Sequence, residues 1–291
     1  MKAMIPLLLF LFHFIFCKNM DAPTASAFPY QVNMPDKTLT MSPELTEISG
    51  VSVFDANTLV AVQDENGIIF YLNKNTGKIE RQVKFWEDGD YEDLQAVGKT
   101  IYVVKSTGTI YEVPEDGKNV QKYNFGLSSK NDVEGLAYDA TNRRLLLACK
   151  NKAGIEHAKD ERGIYAFDLN KKTLSDAPVY TITSKEVQDY LNTLPSTESK
   201  EKLSESFESE IRFAPSAIAV HPRTSELYLL SAAGKVLLVL NADGKVAHLE
   251  KLKKKIHLQP EGICFDPDGT MYLSNEGKDG APGKIYVFKM K

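Results

Sequence analysis

Apolar residues along this chain fall into short runs, some alternating with polar residues and some continuous, and each run ends at a cluster of Gly, Asn, Asp or Pro. Alternation of period two between such turn signals is the mark of β-strands. Five times the runs recur in one order. The copies are "TEISGVSVFDANTLVAVQDENG" from Thr46, "DYEDLQAVGKTIYVVKSTG" from Asp90, "DVEGLAYDATNRRLLLACKN" from Asp132, "APSAIAVHPRTSELYLLSAAG" from Ala214 and "QPEGICFDPDGTMYLSNEG" from Gln259. Each copy gives an apolar strand, a polar turn, a second apolar strand, a Gly-containing turn and a third strand rich in Tyr, Phe and Val, such as "GIIFYLN" or "GKIYVFK". In four copies a further turn leads to a more polar fourth strand, such as "IERQVKF" or "VAHLEKL".

Four antiparallel strands recurring every 40 to 45 residues or so describe the blade of a β-propeller. Aligned on the residue before Gly50, Asp93, Gly135, Ala217 and Gly262, the copies are about 43, 42, 82 and 45 residues apart. The long interval holds one blade plus an insertion at 184–210, rich in Glu, Lys, Ser and Leu and without β alternation. It reads as one or two helices opening on Ser184 as N-cap. The last copy ends after its third strand, so ring closure requires a strand from elsewhere, and "KTLTM" at 37–41 is placed to supply it and to cover the exposed edge. The expectation is an all-β, five-bladed propeller with four-stranded antiparallel blades, spanning 28–291 as one domain, with a helical insertion between blades 3 and 4.

A net charge of −4 and 43% hydrophobic residues describe an ordinary globular chain and give no reason to expect nucleic acid as a partner. The lysine run from Lys251 to Lys255 reads as the solvated edge of a sheet. Residues 1–27 differ: Lys2 precedes an apolar stretch from Met4 to Phe16, the arrangement of an export signal and shorter than the span of about 20 residues that crosses a bilayer. Three outcomes stay open. Cys17 follows the apolar stretch as a lipidated cysteine would, although Phe16 stands where lipoprotein signals carry a small residue; cleavage after Ala27 in "ASA" is the second; an uncleaved membrane anchor is the third. All three place the folded part outside the cytoplasm, in the cell envelope. Cys149 and Cys264 lie in strands of non-adjacent blades and read as two buried free thiols.

The first strand of each blade lines the channel of a propeller, so the aligned head residues converge on its axis. Ser49, Glu92, Glu134, Ser216 and Glu261 would form one ring of three carboxylates and two hydroxyls. Carboxylates that close in a desolvated channel must hold protons or share a cation. A set of oxygens without Cys or His suits Ca²⁺, which accepts six to eight oxygens in loose geometry, better than Zn²⁺. Asp132 and Asn275 are further candidate ligands, as are Asp90, Asn131, Asp64 and Ser274. The alternative, in which each glutamate caps a strand turn and faces water, stays open. The loop carrying His157, Asp160 and Glu161 reads as a solvated rim, and "DPDGT" at Asp266 as a hairpin turn, because its glycine comes too early for a calcium loop. No nucleophile with an adjacent base is visible.

The heads "EISGV", "DYEDL", "DVEGLAYD", "PSAIAVHP" and "QPEGICFDPDGTMYLSNEG", behind a short membrane-targeting segment, resemble the bacterial SdiA-regulated (YjiK-like) proteins from about Leu45 to Lys289. The resemblance implies a five-bladed propeller held at the cell envelope, with bound calcium and no established reaction. Its acidic channel falls on Glu92, Glu134 and Glu261. Two functions follow as expectations. One is a calcium-binding envelope module that meets an unknown ligand or envelope protein at its channel face, attached to the membrane through its N-terminal segment. The other is a calcium-dependent hydrolase of lactonase, esterase or phosphatase type, with Glu134 or Asp132 as base.

Overall fold

The computed structural model describes residues 28–154, 161–197, 200–201, 203–204 and 213–291. Five antiparallel sheets follow one another along the chain. Blade 1 pairs Ile48–Val53, Thr58–Gln63, Ile68–Asn73 and Ile79–Lys84. Blade 2 pairs Tyr91–Val97, Thr100–Lys105, Ile110–Pro114 and Gln121–Tyr123. Blade 3 begins with Val133–Asp139, Arg144–Cys149 and Glu161–Asp168, and its outer edge is split: Thr173–Leu174 and Tyr180–Thr183 both pair with the third strand. Blade 4 pairs Ala217–Val220, Leu227–Ser231, Val236–Leu240 and Val246–Lys251. Blade 5 has Pro260–Phe265, Met271–Asn275 and Lys284–Phe288, and Lys37–Thr40 completes it by pairing with the third of these from Lys37↔Val287 to Thr40↔Lys284. The expected ring closure is therefore what the chain forms.

Because successive side chains of a strand point to opposite faces, each blade feeds two apolar clusters, one toward each neighbour. Leu59 and Ala61 pack with Cys264, Tyr272 and Ile285 of blade 5, whereas Val60 and Val62 pack with Leu94, Ile101 and Val103 of blade 2. Similar wedges join blades 2 and 3, 3 and 4, and 4 and 5. The core thus lies between blades, and the axis is left to polar residues.

The innermost strands approach so closely that side chains must be missing. A Cβ on Gly50 would sit 2.3 Å from Asp93 Oδ1, and one on Gly262 would lie 2.3 Å from Ser274 Oγ and 2.6 Å from the Ser49 carbonyl oxygen. Blade 2 has Asp93 in place of this glycine. Its buried carboxylate fills the space beside Gly50 and accepts hydrogen bonds from Leu94 N (2.8 Å) and Leu136 N (2.7 Å), which ties blades 2 and 3 together at the axis.

The insertion opens with an α-helix, Ser184–Thr193. Its N-cap is Thr183 rather than Ser184, because Thr183 is extended and exchanges a full capping box with Glu186. Val187 and Leu191 pack into the cluster between blades 3 and 4 with Phe213 and Leu249. The helix is a wedge at that seam, and residues 205–210 of the insertion lie outside the described part. Before the closing strand, the segment from Phe28 fills the seam of blades 4 and 5: Tyr30 and Val32 are buried there, and Phe28 stacks on His248. Cys149 and Cys264 are buried and unpaired, as expected. Among the described residues no helix is long and apolar enough to cross a membrane. The candidate lipidation site Cys17 lies outside them.

Candidate functional site in the central channel

A β-bulge at the head of the first strand turns the channel residues inward. The pairing of first and second strands skips one residue between Tyr91 and Asp93, between Val133 and Gly135, and between Pro260 and Gly262. The skipped residues are Glu92, Glu134 and Glu261. In blade 1 the irregularity spans Ser49 and Gly50. Bulges of this kind re-aim side chains, and here they bring Ser49, Glu92, Glu134 and Glu261 to the wall of one cavity of about 200 Å³, which Ser216, directly before the regular first strand of blade 4, also lines. The ring expected from the repeat is therefore assembled.

Two further tiers line the same pit. One comes from residues two before the head, on the same face by period two: Glu47, Asp90 and Gln259. The other comes from residues that directly follow the second strand: Asp64 in blade 1, Lys150 in blade 3 and Glu276 in blade 5. Seven carboxylates thus face about 200 Å³, and Lys150 is the one cation on the described wall. Its Nζ donates to Glu134 Oε1 at 2.7 Å; the Glu134 side chain is 9% exposed and that of Lys150 40%.

The carboxyl groups are strained by charge. Burial, then Glu134 and Asp90, push Glu92 up to about 9. Burial and Glu134 push Glu261 up to about 8. Glu134 is raised by burial although Lys150 opposes it, and Asp64 and Glu276 are raised by burial and by neighbouring acids. Lys150 is raised by Glu134, Asp132 and Glu261, which outweigh the opposing effect of its own burial, the largest single influence on it. The described wall of the pit gathers seven acid groups around the single ammonium of Lys150.

Other expected ligands are engaged elsewhere. Asp132, at φ 56°, accepts from Asn151 Nδ2 (3.1 Å) and is not on the pit wall. Asn131 closes a turn through Ser128 N and Lys152 O. Ser274 Oγ donates to the Ser49 carbonyl (2.7 Å), and Ser216 Oγ donates to the Pro260 carbonyl (2.7 Å), so these hydroxyls strap adjacent blades. Asn275 is buried beside the pit with neither amide atom hydrogen-bonded. His157 and Asp160 lie outside the described residues, and Glu161 opens the third strand of blade 3. Asp266 sits in a hairpin turn and pairs with Lys74 of blade 1 at 2.6 Å. Sequence reasoning missed Glu47, Gln259, Glu276 and Lys150. The offset of two from the head finds Glu47 and Gln259, and the residue after each second strand finds the other two.

An all-oxygen, anionic donor set fits a hard cation, and Asp64 Oδ1, buried on the pit wall with no hydrogen-bond donor, fits it too. Among the described residues no three acidic, His or Cys side chains converge tightly enough to hold a metal as they stand. Glu134 is instead held by Lys150. A larger cavity of about 560 Å³ opens beside Phe125, Leu127, Tyr165 and Pro178, but Asp176 is the one charged side chain on its described wall, so the chemistry is concentrated in the pit.

Among solved structures the chain is similar to a chain of a nidogen/laminin complex (TM-score 0.49, 13% identity, covering 78% of this chain and 72% of that one). It is also similar to the PQQ-bound aldose sugar dehydrogenase of Streptomyces coelicolor (0.49, 10%, 89% and 98%) and to virginiamycin B lyase of Staphylococcus aureus (0.44, 13%, 87% and 73%). These are distant likenesses, and the five-bladed architecture rests on the strand pairings above. The model of the SdiA-regulated family matches residues 25–289, from just before the docked N-terminal segment to the last strand of blade 5. With that match running over nearly the whole described chain, the protein belongs to the SdiA-regulated family.

Proposed function

We propose that this propeller is a non-enzymatic recognition module of the bacterial cell envelope, whose acidic pit binds Ca²⁺ and whose face around the pit meets a ligand or protein partner. The observation that carries the reading is the charge imbalance of the pit: seven carboxylates against Lys150 in about 200 Å³, with Glu92 and Glu261 pushed up to about 9 and 8. A divalent cation relieves that repulsion directly. Glu92, Glu134 and Glu261 would hold the ion, with Asp64 and Asp90 as neighbouring oxygens. When bound, it would supply positive charge at the axis, fixing the heads of blades 2, 3 and 5 against one another. The export-like pattern of residues 1–27 supports the envelope location. The direct test is calorimetric titration of the chelator-treated protein with Ca²⁺. Heat of binding at one ion per chain supports the reading, and its absence in folded protein refutes it.

The hydrolase alternative is favoured by one observation: carboxyls that keep protons near neutral pH, as Glu92 and Glu261 do, are suited to donate one to a leaving group. It requires turnover of an aryl ester or lactone that is lost on chelation and in Glu134→Gln. Ca²⁺ binding without such turnover favours the recognition module.

A further inference from the structure

The pit contains a cation of its own. In three blades the residue after the second strand stands on the wall of the pit, and blades 1 and 5 place Asp64 and Glu276 there. Blade 3 places Lys150 at the equivalent position. Its ammonium reaches Glu134, one of the three acidic heads on the wall of the pit. A free cation entering the ring needs the same carboxylate. The Glu134 end of the pair is nearly buried, whereas the Lys150 side chain is 40% exposed, so the ammonium can swing into water without disturbing the interblade core. The unpartnered Asp64 Oδ1 on the same wall shows that Lys150 does not serve the whole pit.

We propose that Lys150 is a tethered competitor for the cation site: its ammonium takes the place at Glu134 that a divalent ion would occupy, and the ion enters by displacing it. This inference rests on the reading of the pit as a Ca²⁺ site. It assigns Lys150 the role of setting affinity, because each binding event must break the 2.7 Å ion pair with Glu134. A ring freed of its internal cation should bind the external one more tightly.

The test is calorimetric titration of the full-length protein with CaCl₂, comparing wild type, Lys150→Met and Lys150→Arg. Lys150→Gln serves as a second variant, with folding of each checked by circular dichroism. We expect Lys150→Met and Lys150→Gln to bind Ca²⁺ about tenfold tighter or more, and Lys150→Arg, which keeps the charge, to bind no tighter than wild type. Equal or weaker binding by both uncharged variants, with wild type binding normally, overturns the competitor role and leaves the Ca²⁺ site standing. No binding by wild type or by either uncharged variant overturns the Ca²⁺ site itself, and the competitor role with it.

Discussion

Replacing Glu261 by Gln should stabilise the chelator-treated protein at pH 9 and leave it nearly unchanged at pH 5. The Glu261 carboxyl, on the wall of the pit, is pushed up from its usual 4.5 to about 8 by burial and by the charge of Glu134. Between about pH 4.5 and 8 the folded chain therefore keeps a proton that the unfolded chain has released. Stability falls as pH rises through that window and levels off above it. At about 1.4 kcal/mol per pKa unit, ionising Glu261 in the fold costs at most about 5 kcal/mol. Side-chain movement and water entry into the pit reduce what is realised to about 1–3 kcal/mol. Glutamine keeps the shape and carries no charge, so the gain appears only where the wild type is ionised. Thermal unfolding followed by circular dichroism, in chelator at both pH values, should show a rise of about 2–4 °C for each kcal/mol gained at pH 9. Equal destabilisation at pH 5 and pH 9 would refute the reasoning, because it would mean that the fold already satisfies the carboxylate.

Other consequences can be measured separately. Gly262→Ala drives a Cβ into Ser274 Oγ and the Ser49 carbonyl and should cost about 2–3 kcal/mol or more in urea unfolding, whereas Gly126→Ala, with open space around it, should stay within about 0.5 kcal/mol. Asp93→Ala strips the acceptor from two buried amides at the seam of blades 2 and 3 and should cost about 2–5 kcal/mol by the same assay; a loss below about 1 kcal/mol would remove Asp93 from its bridging role. On the acid side, burial pushes His257 down to about 4, so stability should fall as pH drops below about 6.5, and His257→Gln should flatten that limb. Burial pushes the Cys149 thiol up to about 12 and raises Cys264 as well, so iodoacetamide at pH 8 should leave both unmodified in native protein and alkylate them in urea, as read by peptide mass mapping.

The blades were legible in the sequence because their strands are short, their turns recur, and the inner strands, buried on both faces, read as continuous apolar runs such as "VLLVL". The closing strand was legible from an absence, the missing fourth strand after "GKIYVFK". Glu92, Glu134 and Glu261 stood out because a bulge places them at one point of the repeat, so that alignment alone gathers them. Lys150 was hidden because it follows the apolar run "LLLAC" as any solvated strand end might. Only the pairing of Cys149 with Val133 shows that the next residue faces the head of its own blade. Asp132 misled for the converse reason: its left-handed backbone turns it out of the pit, toward Asn151, although its offset from the head matches that of Asp90. The helix cap moved by one residue because Thr183 and Ser184 both carry a hydroxyl, and only the spacing to Glu186 decides between them.

The acid groups of the pit outnumber its cations, and a bound Ca²⁺ would redress that. Thermal unfolding of chelator-treated protein titrated with Ca²⁺, wild type beside Glu261→Gln, addresses that most directly. The wild-type melting temperature should climb with Ca²⁺, by the equivalent of about 2.7 kcal/mol at one hundred times the dissociation constant, and the variant should respond weakly or not at all. A wild-type curve indifferent to millimolar Ca²⁺, or a variant that climbs in step with it, would contradict a cation site built on the acidic ring.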